Sequence, residues 1–316
     1  MVPPNTGYTY FERCREPSFR FRPAATGYDP VNASWLADAA LLAYADEAFA
    51  RPCFEDAGLK ARLIKEKGTD CYIAESPAFV IVAFRGTELP VAGAAGAFPH
   101  NLWEVVADWL TDAQVALVAG AHGHAVHAGF LAALQVVEEP LAARLQELRR
   151  AAPRRPVWFT GHSLGAALAT LAAARFGPAA GVYTYGSPRV GDDAFADGYE
   201  RVAPRPVRFV HGSDLVTRVP LHGRYSPLRL AAPVGDYRHV GDPWHVRDDD
   251  RVEPGEDPHS TGTLGRILSA ARKARAITAA AARAVAASDA EPLPPNDLLD
   301  HAPIHYATRL FNAMAG

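Results

Sequence analysis

The chain of 316 residues has only three cysteines, Cys14, Cys53 and Cys71. They are odd in number and lack CxxC spacing, which argues against a full disulfide framework and a cysteine zinc cluster. A reducing compartment fits that usage. The chain also lacks a charge excess: 32 Lys and Arg stand against 35 Asp and Glu, a formal net charge of −3. A nucleic-acid binder normally carries a basic surplus, so that partner class is set aside. No run reaches about 18 uninterrupted apolar residues, the minimum for a spanning helix. The opening MVPPNTGYTY has no basic segment leading into an apolar one, so no Sec-type signal is read and the cytoplasm is the expected location. No internal repeat is evident, which removes solenoids and propellers.

What is present is ordinary globular material. Hydrophobic residues make up 49% and charged residues 21%, enough apolar surface to build a packed core. Residues 1–316 are expected to form one domain. Apolar spacing predicts a helix over residues 31–50, a buried strand over 79–84 and a helix over 130–150. A strand over 157–160, a small-residue helix over 166–176, and strands over 182–185 and 207–210 follow. Strand and helix alternating at this spacing predict βαβ units, an α/β fold with a mainly parallel sheet. Two segments break the rhythm. Residues 89–107 are rich in Gly and Ala and read as a loop or flap. Residues 262–288 place Leu264, Ile267, Leu268, Ile277 and Val285 on one helical face and Arg266, Arg272, Lys273, Arg275 and Arg283 elsewhere, an inserted basic helix.

The strongest chemical signal is Gly161-His162-Ser163-Leu164-Gly165, set between the strand VWFT and the helix AALATLAAA. Such a GxSxG forms a nucleophile elbow, in which a sharp strand-to-helix turn exposes the serine and both glycines admit neighbouring backbone. Ser163 is the candidate nucleophile. The N–H of Leu164, at the helix start, would face a developing oxyanion, with Gly161 and Gly165 in support.

GHSLGAALA followed by YGSPRVGD, residues 185–192, resembles the class 3, or fungal-type, lipases of the α/β-hydrolase fold. FRGTE (84–88), DWLTD (108–112), VHAGF (126–130), DLVTRVP (214–220) and the late Asp300-His301 resemble landmarks of the same family, in order, over roughly residues 65–310. The resemblance implies a mainly parallel central sheet with helices on both faces. It also implies serine ester hydrolysis of lipid esters, most simply acylglycerols, with no metal or organic cofactor and with transient contact at a lipid interface. Phospholipase A1, soluble carboxylesterase and acyltransferase activities share the scaffold. A non-catalytic lipid-binding module is the rival from another class.

A serine hydroxyl needs a histidine to take its proton and an acid to orient that histidine, in the order serine, acid, histidine for this fold. Asp214 follows the strand at 207–210 and is the candidate acid. Asp192 and Asp193 compete, but they stand at and just after the end of YGSPRVGD, which in the family is a structural loop. The order rule removes the histidines before or beside Ser163. His211 and His222 lie too near Asp214 in sequence, and His239, in YRHVG, resembles a structural family histidine. His245 and His259 sit in loop-like acidic sequence, so His301 and His305 remain. The family places its base in an Asp-His pair ahead of a Tyr, which matches Asp300-His301 and Tyr306 and selects His301. The second oxyanion donor belongs in the loop after the first buried strand, where Thr87 stands, and by resemblance Asp112 holds the Thr87 hydroxyl. Trp109 resembles the lid tryptophan, though here residues 89–107 lengthen the lid. His127 is given a structural role, Arg85 is expected to pair with an acid, and the acidic stretch at 248–257 reads as a solvated loop rather than a calcium site.

Overall fold

The structure, a computed structural model, describes residues 7–87, 116–120, 123–220, 236–257 and 300–316. The lid-like segment 89–107, Trp109, Asp112 and the basic helix expected over 262–288 lie outside the described residues.

Strand β1 (Lys60–Glu66), β2 (Thr69–Glu75), β3 (Val80–Phe84), β6 (Val157–His162), β7 (Gly181–Tyr185), β9 (Val207–His211), β11 (Asp242–Val246) and β12 (Val252–Pro254) form an eight-stranded sheet in the order β1-β2-β3-β6-β7-β9-β11-β12. The central strands β3, β6, β7, β9 and β11 pair in parallel, and antiparallel pairs close both edges. A small antiparallel sheet, in the order β10-β8-β5-β4, is built from β4 (Leu117–Ala119), β5 (Ala125–His127), β8 (Gly191–Asp192) and β10 (Tyr237–Arg238).

The central strands are buried on both faces, which is why they read as continuous apolar runs. Their side chains still alternate between two cores. Val80, Val82, Phe84, Val157 and Phe159 face the core made with α3 (Ala128–Ala151) and α4 (Leu164–Phe176). Ile81, Ala83, Trp158, Tyr183 and Phe209 face the core made with α1 (Pro30–Leu42), α2 (Glu47–Asp56) and the last helix, α6 (Pro303–Ala315). A short helix, α5 (Asp193–Gly198), follows β8. Helices thus lie on both faces, as expected.

Three expectations are refined. The helix expected over 31–50 is two helices, since α1 ends at Leu42 and Asp46 caps α2 by accepting from the Phe49 N–H at 2.9 Å. The antiparallel strands β1, β2 and β12, with the parallel strand β11, extend the sheet beyond what the βαβ pattern announced. The acidic turn is not merely solvated: Asp248 and Asp250 accept from Arg309 at 3.1 and 3.0 Å, and Asp250 also from Asn312 at 2.9 Å. It clasps α6.

Candidate active site

Strand β6 runs directly into Ser163, whose φ of 58° and ψ of −126° put a side chain where glycine is usually required. That strain costs about 1–3 kcal/mol and survives only where the surroundings enforce it. Here they do. A Cβ at Gly161 would lie 2.2 Å from the Gly165 carbonyl oxygen, and one at Gly165 would lie 2.2 Å from the Phe84 carbonyl oxygen. The two glycines let strand, turn and helix pass in contact and bring the start of α4 against the end of β3. Leu164 opens α4, so its N–H is among the helix-start donors with no intrahelical acceptor. Gly86 and Thr87 follow β3 on the same edge, the Thr87 Oγ1 being buried and without a partner among the described residues.

Asp214 lies just beyond β9 and is fully buried. Its Oδ1 accepts from the Val216 N–H at 2.9 Å, and its Oδ2 accepts from the Tyr306 hydroxyl and from His301 Nδ1, both at 2.7 Å. Burial and the facing carboxylate push the Tyr306 pKa well above the usual phenol range, so Tyr306 keeps its proton and donates it. His301 is 0% exposed. Because Nδ1 donates to Asp214, the assigned tautomer leaves Nε2 with a lone pair. That Nε2 and the Ser163 Oγ are both buried and both without a hydrogen-bond partner among the described residues.

The Tyr185–Gly186 corner touches both the serine turn and the histidine. The Ser163 N–H donates to the Tyr185 carbonyl at 3.0 Å. Gly186, at φ 58°, lies so close behind the acid and histidine that a Cβ there would come within 2.8 Å of Asp214 Oδ2 and His301 Nδ1. Sequence reading noticed Gly186 only as a letter of YGSPRVGD and Tyr306 only as a spacing marker. A glycine directly after a parallel strand that ends beside the elbow is the signal that was available.

The remaining residues sort by contact. His305 is half-buried and sets its ring edge-on to His211. Asp192 caps α5 by accepting from the Phe195 N–H at 2.7 Å, and Asp193 lies at the exposed Arg238. His239 donates to the Thr217 carbonyl at 2.7 Å, and Thr217 donates to the Asp214 carbonyl at 2.7 Å. Arg189 of YGSPRVGD donates to the carbonyls of Arg218 and Pro220, so both features brace the segment after the acid. His127 accepts from the Phe130 N–H at 3.3 Å as the cap of α3, and burial lowers its pKa to about 4. Arg85 forms a buried ion pair with Asp70. Asp112 and Trp109 lie outside the described residues, so their expected places beside Thr87 and in the lid have no geometry to set against them.

A parallel sheet flanked by helices, with a strained serine between β6 and α4, makes this an α/β-hydrolase fold. The fold is shared with the lipase from Rhizopus microsporus var. chinensis, at 26% identity and a TM-score of 0.52 over 73% of this chain and 78% of that one. Residues 81–223 match the family described as Lipase (class 3). That match takes in the strained serine and the buried acid, Ser163 and Asp214. The chain is 40% identical over 123 residues to a secreted mono- and diacylglycerol lipase of Fusarium solani, 36% of each chain, and 39% identical over 106 residues to a lipase of Rhizopus oryzae, 31% of this chain and 27% of that one. The alignments thus span about a third or less of those relatives. The relatives also correct one expectation: the Fusarium protein and its Penicillium counterparts are named as secreted, which points outside the cell rather than to the cytoplasm. A scarcity of cysteine is no guide to compartment when a packed core supplies the stability.

Proposed function

We propose that the protein is a serine carboxylic ester hydrolase acting on acylglycerols through an acyl-enzyme. The carrying observation is the buried 2.7 Å contact between His301 and Asp214, with His301 Nε2 and Ser163 Oγ both buried and both without a partner among the described residues. In this reading Ser163 Oγ attacks the ester carbonyl carbon while His301 Nε2 takes its proton. Asp214 keeps the imidazole oriented and stabilises the imidazolium that forms, without itself taking the proton. The backbone N–H groups of Thr87 and Leu164 receive the oxyanion, with Gly161 and Gly165 shaping the turn and Asp112 steadying the Thr87 hydroxyl. His301 then returns the proton to the leaving alcohol. Water, deprotonated by the same histidine, attacks the acyl-enzyme and releases the fatty acid.

The names of the relatives, mono- and diacylglycerol lipase and lipase, support the acylglycerol reading. Trp109 belongs to the lid in this reading, and substrate is met at a lipid interface. The test is hydrolysis of p-nitrophenyl esters and of emulsified acylglycerols by the parent and by Ser163→Ala. Turnover of long chains at an interface, lost in the variant by roughly 10⁴-fold or more, is the expected result. Short-chain preference with no gain at an interface would make it a soluble carboxylesterase, and release from phospholipid alone a phospholipase A1. Ester formation with added alcohol would mark an acyltransferase. Lipid binding without turnover would favour the binding module.

A further inference from the structure

Two buried polar side chains beside the site have no part in the steps above. Tyr44 follows the end of α1, and His162 is the residue before Ser163; they are 6% and 1% exposed. The Tyr44 hydroxyl lies 2.8 Å from His162 Nδ1, and His162 Nε2 lies 2.7 Å from the carbonyl oxygen of His301. A carbonyl only accepts, so Nε2 carries the proton and Nδ1 accepts from the tyrosine. One neutral tautomer serves both bonds. Burial and the facing His301, whose ring centre is 4.4 Å away, push the His162 pKa well below the usual imidazole range. His162 therefore stays neutral while its neighbour gains a proton.

The other end of this chain of bonds reaches the oxyanion loop. The Tyr44 hydroxyl packs against Gly86, just past the end of β3. The approach is so close that a Cβ on Gly86 would lie 1.9 Å from Tyr44 Oη and 2.8 Å from the His162 carbonyl oxygen. The preceding peptide of the base is gripped as well: the Asp300 carbonyl accepts from His211 Nδ1 at 3.0 Å, and the Asp300 carboxylate accepts from the Ser213 N–H at 2.7 Å.

We infer that Tyr44 and His162 are positioning residues that tie the oxyanion loop at Gly86 to the backbone of His301, fixing the separation between the oxyanion donors and the base. The inference rests on the roles proposed for Ser163, His301 and Thr87. Its physical basis is the steep dependence of catalysis on placement: a misplacement of about 1 Å costs on the order of 100-fold in rate. The peptide of His301 is far from Ser163 in sequence and has no glycine-built turn to locate it. A hydrogen bond to its carbonyl from the residue adjoining the nucleophile locates base and nucleophile against each other.

The experiment compares Tyr44→Phe, His162→Leu, His162→Gln and the Tyr44→Phe/His162→Leu double variant with the parent, using Tyr199→Phe as a control that deletes a buried hydroxyl bonded to the Thr170 carbonyl. Expected are a fall in kcat of about 10-fold for Tyr44→Phe and about 100-fold for His162→Leu, with KM within about twofold. His162→Gln, whose amide can still donate toward the His301 carbonyl, recovers part of the loss. Tyr44→Phe costs less in the His162→Leu background than in the parent, because it acts through His162. The low-field proton NMR signal of His301 Nδ1 bonded to Asp214 shifts or broadens in His162→Leu and stays put in Tyr199→Phe. Folded variants with parental kcat, losses carried by KM, or fully multiplicative losses overturn the inference. If His162→Leu does not fold, Tyr44→Phe decides by the same kcat and KM criterion. A parent inert toward every ester sinks the hydrolase reading instead, and the NMR signal still reports whether His162 holds His301.

Discussion

The proposed nucleophile and the proposed base are held by different means. Ser163 is placed by contiguous backbone, a strand, a turn and a helix within residues 157–176, with Gly161 and Gly165 admitting close contacts. His301 is placed by side chains far away in the chain: Asp214, 87 positions off, bonds its ring, and His162, 139 positions off, bonds its carbonyl. A backbone device tolerates almost no change of residue type because nothing can move aside. A side-chain device is adjustable, and damage to it falls on rate before stability.

The sharpest test of that contrast sets His301→Ala beside His305→Ala. The first removes the proposed base and is expected to lower kcat/KM by roughly 10⁴-fold or more, the second by only a few-fold, measured on one ester under identical conditions. Equal losses would break the assignment. Next come the glycines. Gly161→Ala forces a Cβ into backbone 2.2 Å away and is expected to yield little folded protein, read by soluble yield and near-UV circular dichroism. Gly186→Ala presses on side chains and occupies a positive φ, so it is expected to fold with a stability loss of about 1–3 kcal/mol while kcat falls on the order of 100-fold.

Tyr306→Phe deletes one of three hydrogen bonds to Asp214, and a bond to a charged acceptor is worth about 1.5–3 kcal/mol. A fall in kcat/KM on the order of 10-fold is expected, with Asp214 still held by Val216 and His301.

Stability against pH follows from the buried histidines. His127, at about 4, and His162 and His239, well below 6.5, have folded pKa values depressed by burial. The unfolded chain binds these protons first, so the stability present above 6.5 is lost as pH falls toward 4. Asp38, raised by burial to about 7, runs the other way: its contribution is complete below 3.8 and is lost as pH rises through 7. Three groups outweigh one, and each net proton contributes about 1.4 kcal/mol per pH unit. The Tm is therefore expected to fall on acidification from about pH 7 to about pH 5, with a shallower slope in His127→Asn, which keeps a helix cap that does not titrate. The smallest effect is Arg309→Ala. The clasp on Asp248 and Asp250 is partly exposed, so a loss of about 0.5–1 kcal/mol that shrinks in salt is expected from denaturant melts.

The same contrast explains what the sequence disclosed. The elbow was readable because its determinants are adjacent letters, and β3, β6, β7 and β9 were readable because burial on both faces leaves continuous apolar runs. Strand β11, next to the edge strand β12, is half-exposed and its residues, DPWHV, carry no such run. The choice of His301 over His305 needed the family's Asp-His pattern, since both stand at the start of the same helix. Tyr44, His162 and Gly186 escaped because what they do depends on partners brought together only by the sheet order. No local period marks a tyrosine whose partner is 118 positions away.

The central claim, that Ser163 is a nucleophile activated by His301, is tested most directly by treating the protein with a long-chain p-nitrophenyl alkylphosphonate and mapping the adduct by mass spectrometry. The account predicts one phosphonyl group per chain, on Ser163, formed rapidly in the parent and hundreds-fold or more slowly in His301→Ala, on the order expected for loss of a general base. An unmodified Ser163 in protein that still hydrolyses acylglycerols, or equal labelling rates in both proteins, would contradict it.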